Sequence, residues 1–383
     1  MRPWRNPRIR ALVLQALVLA LVVAGFAYIV NNTLHNLGQR GISTGFGFLS
    51  TEAGFGIIQT LVPYDETSSF GRTFVVGLLN TLLVSALGIG IATLLGFAIG
   101  VARLSSNWLV ARMAAVYIEV FRNIPLLLQI FFWYFAVLRT LPAPRQSLAL
   151  GDSVFLNIRG LYLPSLVPQP GAWLVLAGLG LAFVVVIMIA HWARQRREAT
   201  GRSFHTVNVS LLFLIGLPLI AFFAAGRPLA WELPELRGFN FRGGLILIPE
   251  LMALVVALSI YTAAFIAEIV RAGILSVSRG QTEAAYALGL WPRLTLRLVI
   301  IPQAMRVIIP PLTSQYLNLT KNSSLATAIG YPDLVSVFAG TTLNQTGQAV
   351  EVIAMTMAVY LTISLAISLF MNWYNSRNAL VER

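Results

Sequence analysis

Long apolar runs dominate this chain, and its charged positions fall mostly in the gaps between them. Several runs exceed the ~20 apolar residues that a helix needs to cross a bilayer. Eight spans are read, at 11–31, 74–102, 114–138, 172–191, 208–225, 246–270, 299–318 and 350–372. Their periods are helical or featureless, without the short alternating segments of an outer-membrane barrel. The pattern predicts an all-α fold, a polytopic transmembrane bundle of about eight helices.

Composition agrees: with 57% hydrophobic and 11% charged residues among 383, the chain could not present a polar exterior to water. The net charge of +13 raises nucleic acid as a partner. The arginines nevertheless alternate with the loops and build no contiguous basic, aromatic-interleaved face, so a nucleic-acid role is excluded. Arg2, Arg5, Arg8 and Arg10 precede the first span; Arg103 and Arg112 follow the second. Arg194, Arg196, Arg197 and Arg202 follow the fourth, and Arg271, Arg279, Arg293 and Arg297 follow the sixth. The positive-inside rule puts these segments and both termini in the cytoplasm, although Arg40, Arg72, Arg139 and others on the opposite side make the bias incomplete. The first span is too long for a signal-peptide core and is expected to stay as an anchor. Cysteine is absent, and His35, His191 and His205 have no ligand spacing, so no metal site is expected.

Between the sixth and seventh spans, residues 276–298 carry helix punctuation. Ser278-Arg279-Gly280-Gln281 has capping-box spacing, Gly289 suits a left-handed helix end, and Pro292 suits the first turn of a second helix. The prediction is a helix-turn-helix outside the bilayer, with Ala284 and Ala285 small enough for another surface to approach. Arg293 and Arg297 would share one face of the second helix.

Glu283-Ala284-Ala285, then Gly289, then Val299-Ile300-Ile301-Pro302 resemble the coupling loop of bacterial ABC importer permeases. Tyr117-Ile118-Glu119-Val120-Phe121-Arg122-Asn123-Ile124-Pro125-Leu126-Leu127-Leu128-Gln129 is similar to a core segment of the polar amino-acid family, with Asn123 and Ile124 replacing the family's Gly and Thr. The longer layout, with Asn6-Pro7-Arg8-Ile9-Arg10 and Ser43-Thr44-Gly45-Phe46-Gly47-Phe48-Leu49, resembles the Q-type permeases of general L-amino-acid importers. This resemblance implies a five-span type I core plus one N-terminal and two inserted helices. The corresponding divisions are an anchor and periplasmic loop at 1–71, core at 72–138, an insertion at 139–245 and core again at 246–383. It implies an inner-membrane location, a second permease as heterodimer partner, a cytoplasmic ATPase dimer docked on Glu283, Ala284, Ala285 and Gly289, and a periplasmic amino-acid-binding protein. The proline-rich loop after the third span is expected to lack a sizeable fold; it could rim a docking surface or be tolerated insertion.

Polar residues inside the spans are candidates for the transport path. Glu119 and Arg122 are three apart and can pair, and Pro125 then interrupts the helix beside them. The pair is read either as flanking a bend on the path or as a structural ion pair. Glu268 and Arg271 have the same spacing and are read as an interfacial anchor. The chief candidate for an L-amino acid's carboxylate and ammonium is Lys321-Asn322-Ser323-Ser324, containing the chain's single lysine. A Lys snorkelling to the interface fits that segment as well. Asn80, Tyr117, Gln129 and Tyr261 are further candidates.

No phosphate-binding Gly-x4-Gly-Lys-Ser/Thr loop is present, so ATP and Mg would be used by a partner ATPase and the chain itself is read as a non-enzyme with no cofactor. A secondary transporter driven by an ion gradient is the alternative. It calls for inverted repeats and intramembrane carboxylates, of which the sequence offers no clear repeat and few such acids.

Overall fold

The computed structural model describes residues 7–39, 44–201 and 204–377. Arg2, Arg5, Asn6, Arg40, Ser43 and Arg202 lie outside the described residues. Two compact units are present, Met1–Tyr134 with Ala253–Arg383, and Phe135–Met252.

The first unit begins with α1 (Pro7–Gln39), an apolar helix whose candidate span, Arg10–Thr33, has no buried residue. After it, the loop before α2 (Phe70–Ala102) is ordered by backbone bonds such as Ala53 N–H to Ser68 O at 2.9 Å. Phe48, Ala53 and Phe70 pack with Leu334, Phe338 and Val352 in one apolar cluster. α3 (Trp108–Asn123) is capped by Asn107, whose side-chain oxygen accepts the N–H groups of Leu109 and Val110. α4 (Leu126–Phe131) follows, continued by a π-helical turn at Phe132–Val137. The span read at 114–138 is broken where Pro125 is read to interrupt it: Ile124-Pro125 separates two helical segments that meet at 105°. Proline removes a ladder donor and forces the preceding residue out of helical geometry, and Ile124 is extended at ψ 127°.

The second unit corrects an expectation, because the proline-rich loop is structured. β1 (Leu148–Leu150), β2 (Val154–Asn157) and β3 (Gly160–Leu163) precede β4 (Ser165–Pro168), α5 (Ala172–Thr200) and α6 (Thr206–Ala224). β5 (Leu229–Glu232), β6 (Glu235–Arg237), β7 (Asn240–Arg242) and β8 (Leu245–Leu247) follow. A sheet of order β1-β2-β3-β8 is antiparallel throughout, with Leu161 opposite Leu247, and β4 pairs with β5. Its core is aromatic: Phe241 lies 4.5 Å from Phe155 and 5.0 Å from Tyr162, ring to ring.

The first unit resumes with α7 (Pro249–Leu275), α8 (Arg279–Ala287), α9 (Pro292–Thr295), a π-helical turn at Leu296–Ile300 and α10 (Ile301–Asn322). A 3-10 helix at Ser323–Ile329, a π-helical run at Val335–Thr342, α11 (Leu343–Thr346) and α12 (Ala349–Arg377) complete it. Among the described residues, seven helices are long and apolar enough to cross a membrane, or eight when the bent pair is one span. The all-α transmembrane bundle read from the sequence is thus the architecture, with small strands added in the second unit.

Inside a bilayer, helix association gains little from hydrophobicity and depends on close packing, which small residues permit. α2 illustrates this. A Cβ at Gly96 would lie 2.5 Å from Ile266 Cγ2, and one at Gly77 would lie 2.9 Å from Leu334 Cα. Polar bonds join further pairs, α2 to α10 and α3 to α7: Thr93 Oγ1 and Tyr316 Oη are 2.9 Å apart, and the Tyr117 hydroxyl donates to Ile260 O.

Candidate functional site

The segment after α7 folds as a short helical hairpin. α8 begins directly after Ser278, as its position suggests, but the capping box does not close. The Ser278 side chain makes no cap bond, and Gln281 Oε1 instead accepts from Gln303 Nε2 at 3.3 Å. The far end is a complete Schellman motif. Gly289, at φ +76°, donates its N–H to Tyr286 O, and Leu290 donates to Ala285 O at 3.0 Å. Pro292 opens α9 at its first turn. Ala285 and Thr295 are buried between the arms, whereas Glu283, Ala284 and Gly289 are exposed. Arg293 and Arg297 are both exposed, but Arg297 stands in the π-helical turn rather than on an α-helix. Tyr286, Leu288 and Trp291 are also exposed, at 49%, 82% and 58%. An apolar trio around a fixed turn is unusual for a surface facing only water. Sequence inspection missed these three because a tyrosine, a leucine and a tryptophan beside membrane spans blend into the apolar background.

The helix break positions a second group of candidates. Among the described residues Glu119 and Arg122 form no ion pair; the Arg122 guanidinium stands 5.2 Å from the Phe265 ring centre instead. Phe265 also packs on Tyr261 at 5.0 Å, so Arg122 and Tyr261 are brought to one aromatic group. Glu268 and Arg271 do pair, with Nε 3.0 Å from Oε2. Gln129 is buried, and its amide donates to Phe121 O and Ile124 O, each at 3.0 Å. Those are carbonyls left over where α3 ends, and a side chain that satisfies them makes the break tolerable within a membrane.

Asn80, another candidate, is fully buried and serves as a latch. Its Nδ2 donates to Gln59 O and Pro332 O, each at 2.9 Å. Thr81 Oγ1 accepts the Leu334 N–H at 3.0 Å, and the Tyr331 hydroxyl donates to Asn80 O. Next to them lies a group that sequence inspection did not single out. Asp333 is fully buried; its Oδ1 accepts the Ser336 N–H at 2.8 Å, while Oδ2 has no hydrogen-bond partner among the described residues. Burial pushes its carboxyl up to about 7 from an ordinary 3.8. The fold therefore favours the protonated acid, so the stability it contributes is full below about 4 and is lost as pH rises through about 7. In detergent, the melting temperature of the protein should fall by several degrees between pH 5 and 8, and Asp333→Asn should flatten that slope. An unchanged slope in the variant would assign the dependence elsewhere.

Lys321 to Ser324 do not converge on one point. Lys321 is exposed and forms no ion pair among the described residues; Asn322 is half-buried. Ser323 is buried and donates to Thr320 O at 2.7 Å, and Ser324 donates to Lys321 O at 2.7 Å. Both hydroxyls thus serve the change from α-helix to 3-10 helix at the end of α10. Among the described residues no three acidic or histidine side chains gather as a metal site would require.

Residues 207–379 match the family of binding-protein-dependent transport system inner membrane components. The chain is 58% identical over 382 residues to the putative amino-acid ABC transporter permease protein YhdX of Escherichia coli, covering 99% of this chain and 97% of that one. It is 52% identical over 378 residues to the general L-amino acid transport system permease protein AapQ of Rhizobium johnstonii, covering 99% and 94%. Against the glutamate/glutamine/aspartate/asparagine transport system permease protein BztB of Rhodobacter capsulatus, identity is 46% over 409 aligned positions, covering 99% and 96%. Agreement runs the whole length of the chain, through the second unit as well as the helical hairpin, and on that ground the chain belongs to the amino-acid ABC transporter permeases, a family of inner membrane components of binding-protein-dependent transport systems.

Proposed function

We propose that this chain is one transmembrane half of an ATP-driven importer for a broad range of L-amino acids. The observation that carries the coupling role is the α8–α9 hairpin, a rigid turn that exposes Glu283, Ala284, Tyr286, Leu288 and Trp291 at the end of two spans. In this reading the hairpin lies in the cytoplasm and seats on a separate ATPase dimer, which uses ATP and Mg. A second permease completes the path, and a periplasmic binding protein delivers the amino acid. Closure of the ATPases moves the hairpin as a unit, because the Schellman bonds and buried Ala285 hold its arms together. α10 continues from that hairpin through the π-helical turn, and α7 joins it through Ser276, Val277 and Ser278 alone, so its displacement tilts the spans that flank the path.

Lys321, exposed near the end of α10, is proposed to face the path and attract the substrate carboxylate, with Arg122 and Tyr261 near the helix break as further polar contacts. Proteoliposomes that contain the chain with its co-purified subunits test the whole reading: uptake of labelled glutamate or glutamine should require ATP and the binding protein. Uptake driven by an ion gradient without ATP would instead establish a secondary transporter. In the same assay Lys321→Met should lower uptake by about tenfold, the effect of losing one charge-assisted contact, without reducing assembly. Unchanged rates for every amino acid would remove Lys321 from the path.

A further inference from the structure

The end of the α5–α6 hairpin holds a cavity that the transport reading does not use. It has a volume of about 370 Å³, and Arg194, Arg197, Glu198, Phe204 and Thr206 line it above Ala190 and Ala193. Arg194 pairs with Glu198 at 3.1 Å, but both are largely exposed, at 75% and 63%, and such a pair is weak and easily exchanged. Arg197 holds no ion pair among the described residues. Beside the cavity, Arg196 lies over the rings of Trp192 and Phe204, at 5.3 and 5.9 Å, and those rings meet edge-on at 5.1 Å. Three arginines and one glutamate thus fall within about a turn and a half of helix.

The surroundings identify the anion. α5 and α6 pack on each other through Gly178, where a Cβ would lie 2.9 Å from Ala221 Cβ. The rest of their surface is bare: Leu176, Ile187, Met188, Leu212, Ile215 and Ile220 are all more than half exposed. The apolar flank ends where Trp192 and the arginines begin, which is the profile of a helix leaving the hydrocarbon for the headgroup layer. A ligand that fits both parts carries a phosphate on two acyl chains. We propose that this cavity is a binding site for an anionic phospholipid, with Arg194 and Arg197 on the phosphate and the acyl chains along α5 and α6. A free phosphate or an acidic protein segment would use the arginines but leave the apolar flank uncovered.

Native mass spectrometry of the purified complex, titrated with phosphatidylglycerol and with phosphatidylcholine, tests this. The native protein should retain phosphatidylglycerol in preference to phosphatidylcholine, and Arg194→Ala with Arg197→Ala should lower that retention by at least about tenfold. The double lysine variant should keep most of it, because phosphate binding at a membrane surface needs charge more than fork geometry. Equal retention of both lipids, or equal retention by the alanine variant, would overturn the proposal. Displacement of the lipid by millimolar inorganic phosphate would also overturn it, in favour of a soluble anion. Loss of a protein subunit from the variant with lipid retention intact would assign the arginines to an acidic partner. Because both side chains are exposed, the alanine variant should melt at the native temperature, which separates lost binding from lost folding.

Discussion

A Gly289→Val permease is expected to assemble with its partners and to permit ATP hydrolysis while importing at about a tenth of the native rate or less. The reason is confined to the backbone. Gly289 sits at φ +76°, and a Cβ added there meets nothing within 4 Å, so no clash contributes. The left-handed conformation itself costs an ordinary residue about 1–2 kcal/mol, and a β-branched one more. The chain can escape only by giving up the bonds from Gly289 to Tyr286 and from Leu290 to Ala285, and those bonds aim α9 from α8. With them gone the hairpin no longer moves as one body, and under the proposed coupling role force from an ATPase would bend the turn instead of tilting α10. Hydrolysis and uptake measured on the same proteoliposomes separate this uncoupling from simple loss of protein. Asparagine tolerates the left-handed region, so Gly289→Asn should recover most of the uptake. If valine and asparagine behave alike, or if valine imports normally, the turn does not transmit the stroke.

That turn was legible from sequence because its chemistry is local: Gly289 enters the left-handed region without the cost a Cβ brings, Pro292 has its φ fixed by its ring, and both lie within four residues of the bonds they control. The apolar spans were legible for a similar reason, since bilayer thickness sets a length that any run must meet. What remained hidden depends on distant partners. Gln129 reads as a polar residue on a path until Phe121 and Ile124 are seen to place two bare carbonyls against its amide. Asn80 is the same case at longer range, since its second acceptor, Pro332 O, lies 252 residues away. The strands of the second unit are only three or four residues long, and β3 finds β8 across both α5 and α6, so no local period announces them. Asp333 escaped because it lies between spans, where a carboxylate normally faces water; only the packing of residues 331–334 on α2 makes it a buried one. Ser323, read beside a lone lysine as a substrate contact, is another residue whose local bond the sequence does not announce, since its hydroxyl donates to Thr320 O in its own helix.

Gly100→Leu should prevent recovery of a stable protein, or lower its melting temperature in detergent by about 4 °C, the equivalent of roughly 3 kcal/mol in a chain of this size. A Cβ at position 100 would stand 2.7 Å from Ala267 O and 2.8 Å from Val270 Cβ. The first of these is backbone in the middle of α7, which cannot rotate aside as a long side chain could. α2 would have to move off α7, and Gly96 sits one turn away against Ala263 and Ile266, so the contact would open along at least two turns. A soluble core resists such separation because water would enter the gap. In a bilayer, lipid tails replace the lost apolar contact at little cost, so close packing and a few polar bonds are all that hold α2 in place. The bonds it would carry away include the Thr93–Tyr316 pair and, farther along, the Asn80 and Thr81 latches on residues 332–334. Gly90 provides the control on the same helix, since a Cβ there meets nothing within 4 Å. Gly90→Leu should therefore melt close to the native temperature while Gly100→Leu does not. Equal melting of the two variants would mean that the glycines of α2 reflect tolerance of small residues in a lipid-facing helix, and that another contact fixes α2 against α7.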